Sequence, residues 1–127
     1  MKKLLIALLL LTSCQKDEID NVPAGITGAY LGTLTTPTNT YSRVWSVNKL
    51  DNFTIEAVES TSFGPYNTIY IKCAGKDLTV EPQAYHWPTG GGGVVSGSGY
   101  FSGNTIILTL AWSYSGNNTR LDYLMVM

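Results

Sequence analysis

Histidine, cysteine and charged side chains are all scarce in this chain. Its 127 residues include one histidine and two cysteines, and 13% of them are charged. A zinc site takes three or four ligands, commonly His and Cys at short spacings, and His86 with Cys73 does not supply them. No Gly-x-Ser-x-Gly turn presents a nucleophilic serine, and no Asp-x-Asp-x-Asp-Gly loop is present to bind calcium. We therefore predict no catalytic residues, no metal and no cofactor.

Basic residues are too few to form a nucleic-acid-binding face. Apart from Lys2 and Lys3 at the N-terminus, the chain has six lysines and arginines against nine aspartates and glutamates. A protein that binds nucleic acid neutralises phosphates with clustered lysine and arginine side chains. We therefore predict that nucleic acid is not a partner.

The first fourteen residues combine a positive start, a short apolar run and a cysteine. Lys2 and Lys3 precede eight apolar residues, the last of which begins the segment Leu11-Thr12-Ser13-Cys14. A helix needs ~20 apolar residues to span a bilayer, so this shorter run is expected to be a signal that is removed. Leu11-Thr12-Ser13-Cys14 resembles the lipobox of bacterial lipoproteins.

The lipobox resemblance implies a processed, lipid-anchored protein. Residues 1–13 are then the signal peptide, and Cys14 becomes the first mature residue, linked to diacylglycerol and acylated on its amine. More than one acyl chain gives stable membrane anchoring, so the membrane is a partner through Cys14. Residues 14–25 are expected to form a flexible acidic tether. The alternative is a plain secretory signal that ends in a structural cysteine.

The residues after Cys14 add a second resemblance. Lys16, Asp17 and Glu18 continue the pattern Cys-x-Lys-acidic-acidic, which is similar to the surface-export signal of Bacteroidota lipoproteins. The similarity implies an outer-membrane position and favours the cell surface over the periplasmic side. An ordinary polar tether is the alternative.

Residues 26–127 are predicted to form one all-β domain. No segment there has a convincing helical period, and turn residues recur at the spacing of a small sandwich or barrel. Short connections make neighbouring strands pair antiparallel, which predicts an eight-stranded up-and-down barrel, with a two-sheet β-sandwich as the alternative. We expect a monomer. The predicted strands are 26–35, 41–49, 53–60, 67–74, 78–87, 94–102, 105–114 and 119–127.

Two stretches of this domain resemble lipocalin-like barrels of small Bacteroidota lipoproteins. The first is Gly28-Ala29-Tyr30-Leu31-Gly32, which is similar to a Gly-x-Trp opening with Tyr in place of Trp. The second is Val95-Ser96-Gly97-Ser98-Gly99-Tyr100, followed by Gly103-Asn104-Thr105-Ile106. The resemblance implies that Arg120, near the last strand, covers Tyr30 through a cation–π contact. Gly97 and Gly99 either allow a tightly curved wall or leave room for a ligand, and curvature is favoured.

Alternation along the strands assigns the other notable side chains. Cys73 shares a face with Ile69 and Ile71, which predicts a buried, inert thiol. Trp45 shares a face with Tyr41, Arg43 and Val47, whereas Trp112 shares one with Leu108 and Leu110. An eight-stranded barrel is only just wide enough for its own side chains, so we expect a filled core with at most a shallow end pocket.

These side chains support two hypotheses of function. In the first, a non-catalytic lipocalin-like domain binds a small apolar or amphipathic ligand at Tyr30, Trp45 and Trp112. In the second, a cell-surface module contacts a glycan or a protein through the aromatic and glycine-rich loop 85–93, which carries Tyr85 and Trp87.

Overall fold

The computed structural model describes residues 19–61, 64–86 and 92–127, and it is an eight-stranded antiparallel barrel. Each strand pairs with the next, and β8 pairs with β1 to close the sheet. The predicted up-and-down barrel is therefore confirmed, and the sandwich is not observed. The strands are β1 (Gly28–Thr35), β2 (Thr40–Lys49), β3 (Thr54–Thr61), β4 (Gly64–Ala74), β5 (Asp77–His86), β6 (Gly92–Ser102), β7 (Thr105–Tyr114) and β8 (Asn117–Val126).

Several sequence-based predictions lie outside the described residues. They are the signal peptide 1–13, Cys14, the export residues Lys16, Asp17 and Glu18, and Trp87. Within the described segments, no helix is long and apolar enough to cross a membrane.

The predicted strand boundaries agree with the structure to within three residues. The largest difference is at β4, where Gly64 and Pro65 belong to the strand rather than to the predicted turn. The pairing shifts there, from Glu59 with Asn67 to Ser60 with Pro65, which marks a bulge. Proline lacks an N–H and is tolerated at such a position.

Alternating side chains fill the barrel interior. Tyr30, Trp45 and Tyr123 are fully or almost fully buried, and the rings of Trp45 and Tyr123 lie 4.8 Å apart between centroids. Cys73 is buried and unpaired to any cysteine, beside Ile69 and Ile71 on the same strand face, as predicted. Its burial raises the pKa of the thiol to about 11, so the thiolate form is disfavoured at neutral pH.

One end of the barrel, which we call the base, is closed by the segment 19–26. Asn21 joins two turns: its N–H donates to Asn52 O (2.7 Å), and its carbonyl accepts from Gly75 N (3.0 Å). Ile26 is fully buried, and its carbonyl accepts from the hydroxyl of Tyr30 (2.6 Å). The opposite end, the mouth, includes the turns 36–39 and 115–116. In the second turn Ser115 and Gly116 both have positive φ, as a two-residue hairpin of type I′ requires.

Gly97 and Gly99 lie where β6 approaches the backbone of β7 very closely. A Cβ placed on Gly99 would lie 1.8 Å from Ile107 O, and one on Gly97 would lie 2.1 Å from Thr109 O. No side chain fits at either position. The structure thus agrees with curvature, and not ligand space, as the reason for these glycines.

The predicted contact between Arg120 and Tyr30 is wrong. Tyr30 points into the barrel and is fully buried. Arg120 lies on the outer face of β8, where its Nε bonds the carboxylate of Asp122 at 3.0 Å. Since Leu121 and Tyr123 point inward, alternation places Arg120 outside, on the opposite side of the sheet from Tyr30.

Candidate functional site

A small pocket opens at the mouth between the β1–β2 turn and strands β7 and β8. Its volume is about 180 Å³. Pockets that enclose a drug-sized ligand run from roughly 300 to 1,000 Å³, so this one has room for a single ring or a short chain. Apolar and hydroxyl side chains mix in its lining, which comprises Thr36, Thr38, Tyr41, Trp112, Thr119 and Leu121.

The turn on one side of the pocket is held by its own hydrogen bonds. Thr36 N donates to Asn39 O (2.8 Å), and Thr36 Oγ1 accepts from Asn39 N (3.1 Å). The side-chain amide of Asn39 donates to the hydroxyl of Tyr41 (3.2 Å). The guanidinium of Arg43 lies 5.3 Å from the centroid of the Tyr41 ring, within cation–π range. Tyr41 is therefore oriented from both ends of its side chain.

Trp112 forms the other side and is fixed in a similar way. Its indole N–H donates to the carbonyl of Tyr85 (3.3 Å), and its ring stacks on Tyr114 at 5.6 Å with planes 4° apart. A Cβ on Gly93 would lie 2.5 Å from the indole nitrogen, so glycine is needed there for the indole to occupy this place. The two stacked rings present a rigid, half-exposed aromatic surface at the mouth.

Below the pocket, a charged pair is buried inside the barrel. Glu59 on β3 is 0% exposed and Arg43 on β2 is 6% exposed, with Arg43 Nε 3.8 Å from Glu59 Oε1. Removing two charges from water is costly unless they are paired and hydrogen-bonded. The carboxylate of Glu59 meets this condition with three donors, namely Trp45 Nε1 (3.0 Å), the Tyr85 hydroxyl (3.1 Å) and Asn67 Nδ2 (3.4 Å).

Two tyrosines extend this buried cluster. The hydroxyls of Tyr85 and Tyr123 are hydrogen-bonded to each other. Burial raises the pKa of both phenols well above their usual value, and the negative charge of Glu59 raises them further. Both hydroxyls therefore stay protonated at neutral pH. We call Arg43, Trp45, Glu59, Asn67, Tyr85 and Tyr123 the buried polar cluster.

Side-chain amides connect β4 to β5 beside this cluster. The two strands pair through their backbones only near the base, from Lys72–Thr79 to Ala74–Asp77. Farther toward the mouth, the side-chain amide of Asn67 bonds both backbone groups of His86. Its Nδ2 donates to the carbonyl of His86 (2.8 Å), and its Oδ1 accepts from the N–H of His86 (3.0 Å). In the same way, Gln83 Nε2 donates to the carbonyl of Tyr70 (2.8 Å), and Gln83 Oε1 accepts from the N–H of Tyr70 (2.7 Å). These amides satisfy backbone groups that the ladder does not.

The predicted ligand residues occupy different places. Trp112 lines the mouth pocket, whereas Tyr30 and Trp45 are packed in the core and Tyr85 is in the buried polar cluster. The sequence-based prediction missed the buried pair of Arg43 and Glu59. Alternation offered a signal for both, because it places Arg43 with Trp45, and Glu59 with Ile55 and Ala57, on inward faces.

The cluster is suited to holding shape rather than to transferring protons to a substrate. The described groups that contact Glu59 are all buried, and the phenol hydroxyls of Tyr85 and Tyr123 stay protonated. His86 is exposed, and among the described residues no three His, Cys, Asp or Glu side chains are grouped to hold a metal ion. In comparisons with known proteins, no protein-family model, no curated protein and no solved structure matches this chain.

Proposed function

We propose that this chain is a lipid-anchored lipoprotein of the outer membrane, exposed at the cell surface, whose non-catalytic barrel binds a small amphipathic ligand at its mouth. The mouth pocket carries the binding half of the proposal. The interior below it is filled by Trp45, Tyr85 and Tyr123. A ligand is therefore expected to insert one end at the mouth instead of passing into the barrel.

The lining of the pocket supports an amphipathic ligand. Trp112, Tyr41 and Leu121 offer apolar surface, and Thr36 and Thr119 offer hydroxyls that both donate and accept hydrogen bonds. No charged side chain lines the pocket among the residues described there. A neutral group with one apolar face and one hydroxyl-bearing face matches this chemistry, as in a sugar ring or the first part of an alkyl chain joined to a polar group.

The anchoring half of the proposal is supported by the sequence alone. Leu11-Thr12-Ser13-Cys14 resembles a lipobox, and Lys16, Asp17 and Glu18 resemble an export signal. A lipid on Cys14 holds a domain at a membrane without any contact from the barrel wall.

Replacing Trp112 by alanine is the test of the mouth as a binding site. Isothermal titration of the mature protein with octyl glucoside below its micelle concentration, octanoate and glucose is expected to give saturable binding of the glycoside. The Trp112→Ala variant should then bind at least tenfold more weakly, a loss of about 1.4 kcal/mol, because the indole face is removed.

Tyr100→Ala is the matched control, since Tyr100 is an exposed aromatic residue on the outer wall. It should leave the affinity unchanged. Equal binding by Trp112→Ala, or no binding of any of the three compounds, contradicts the mouth site. Binding of glucose as tight as that of the glycoside would show that the mouth pocket takes a sugar ring and that the alkyl chain adds nothing, which contradicts an amphipathic ligand.

A further inference from the structure

The base of the barrel exposes apolar side chains close to where the chain enters the fold. Leu50 and Phe53 in the β2–β3 turn are 50% and 52% exposed, and Ile19 is 66% exposed. Asn21 is hydrogen-bonded to Asn52 in the same turn, so the entering chain lies beside that turn. The three apolar side chains thus belong to one region, which we call the base patch (Ile19, Leu50 and Phe53).

The number of residues between Cys14 and the base patch limits the distance of the base from the proposed lipid anchor. Cys14 precedes Ile19 by five residues. Fully extended chain spans at most ~3.6 Å per residue, so the sulfur of Cys14 lies within about 18 Å of the base patch along the chain. A ten-residue strand is ~33 Å long and, tilted as in a barrel, about 25 Å tall. The five residues from Cys14 to Ile19 are therefore too few to reach from the base past the mouth.

We propose that the base patch rests on the phospholipid surface, with Leu50 and Phe53 in its interfacial layer and the mouth directed away from the membrane. This inference rests on the proposed lipid at Cys14. Phenylalanine and leucine are favourable in that layer because their apolar surface leaves water there. The orientation also leaves the mouth pocket open to ligands from outside.

Charge at the base agrees with an apolar mode of contact. Lys49, Lys72 and Lys76 lie at that end with Asp20, Asp51 and Asp77, so the formal charges cancel. Lys49 forms an ion pair with Asp20. Attraction to anionic lipid scales with excess positive charge, and the base has none. We therefore expect the base patch to contact zwitterionic as well as anionic lipid, and we expect salt to have little effect on that contact.

The barrel wall offers a comparison surface. Leu31 and Val44 are paired neighbours on the outer face of β1 and β2, and both are exposed. If the barrel lay on its side, a wall of this kind would touch the lipid instead of the base patch.

Fluorescence quenching in vesicles distinguishes these arrangements. The full lipidated protein is reconstituted in phosphatidylethanolamine and phosphatidylglycerol vesicles that carry a nitroxide on the headgroup. A dye is attached at Asn52→Cys in the base, Ser98→Cys on the wall or Asn117→Cys at the mouth, since Cys73 is buried and does not compete. We expect quenching at least threefold stronger at the base than at the mouth. The double variant Leu50→Ser with Phe53→Ser should weaken the quenching at the base at least twofold, because only the anchor on Cys14 then holds the base near the lipid. Leu31→Ser with Val44→Ser should leave the quenching at the base unchanged.

Each outcome decides a separate point. Intact mass of the same sample shows whether Cys14 carries lipid. If Cys14 carries lipid, two results overturn the docking of the base: equal quenching at the base and the mouth, or strongest quenching at the wall. Neither of these results contradicts the lipid anchor. A chain without lipid overturns both. The urea midpoints of both double variants should match that of the original protein, because all four side chains are exposed.

Discussion

Replacing Glu59 by glutamine is expected to lower the free energy of unfolding by about 3–5 kcal/mol, because it leaves Arg43 buried without its counter-charge. Trp45, Asn67 and Tyr85 all direct donors at the Glu59 carboxylate. Glutamine has only one acceptor oxygen, and its NH₂ group is itself a donor. It would therefore face some of these donor groups without being able to accept a hydrogen bond from them. Urea unfolding followed by tryptophan fluorescence measures the loss.

Glu56→Gln is the matched control on the same strand. Glu56 lies on the outer face, and a substitution there should change stability by no more than about 0.5 kcal/mol. The double variant Glu59→Met with Arg43→Met should recover part of the loss, since apolar replacement of both partners removes the uncompensated charge. A midpoint for Glu59→Gln equal to that of Glu56→Gln would show that the buried pair contributes nothing to stability.

Gly99→Ala is expected to be the second severe substitution, with a loss of about 3 kcal/mol or more, at the upper end for overpacking. The new methyl group would lie 1.8 Å from Ile107 O and 2.8 Å from Leu108 Cα. Both contacts are with backbone atoms, so relief requires β6 and β7 to separate at a point where the barrel curves. No rotation of a side chain can relieve it.

Ser98→Ala tests whether the effect is specific to the inward position. Ser98 is the preceding residue and is exposed, so its replacement should leave stability within about 0.5 kcal/mol. Thermal unfolding of the two variants is the comparison. Equal unfolding temperatures for Gly99→Ala and Ser98→Ala would mean that β6 and β7 lie farther apart than the structure shows.

The fold was predictable because its main signals are local. Alternation with a period of two identified the eight strands and the inward faces, and it placed Cys73, Trp45 and Trp112 on the correct side of the sheet. The same alternation predicts a curved wall at Gly97 and Gly99, because two glycines at alternate positions leave one face of the strand without side chains. Short turns then left an antiparallel barrel or a sandwich as the choices.

The buried polar cluster could not be predicted in the same way. Alternation shows which face a residue is on, but it does not show which residue it meets across the barrel. Arg43 and Glu59 come together through the register of β2 and β3, and the register of β3 and β4 pairs Glu59 with Asn67. The wrong contact between Arg120 and Tyr30 came from a family resemblance, whereas alternation alone places Arg120 outside.

The cluster and the mouth pocket are physically connected. Arg43 lies over the Tyr41 ring, and the carbonyl of Tyr85 receives the indole N–H of Trp112. Both aromatic walls of the pocket are thus positioned by residues that also bind or neighbour Glu59. A rigid wall loses little conformational entropy when a ligand binds. In the proposed binding at the mouth, the charged pair therefore acts by keeping the pocket wall rigid and does not touch the ligand.

Intact-mass spectrometry of the protein isolated from cell envelopes tests the proposed lipid anchor most directly, and the proposed placement of the barrel at the membrane depends on that anchor. We predict a chain that begins at Cys14 and whose added mass corresponds to diacylglycerol and an acyl group, located by fragmentation on Cys14. A chain that retains residues 1–13, or one with an unmodified thiol at Cys14, would contradict it.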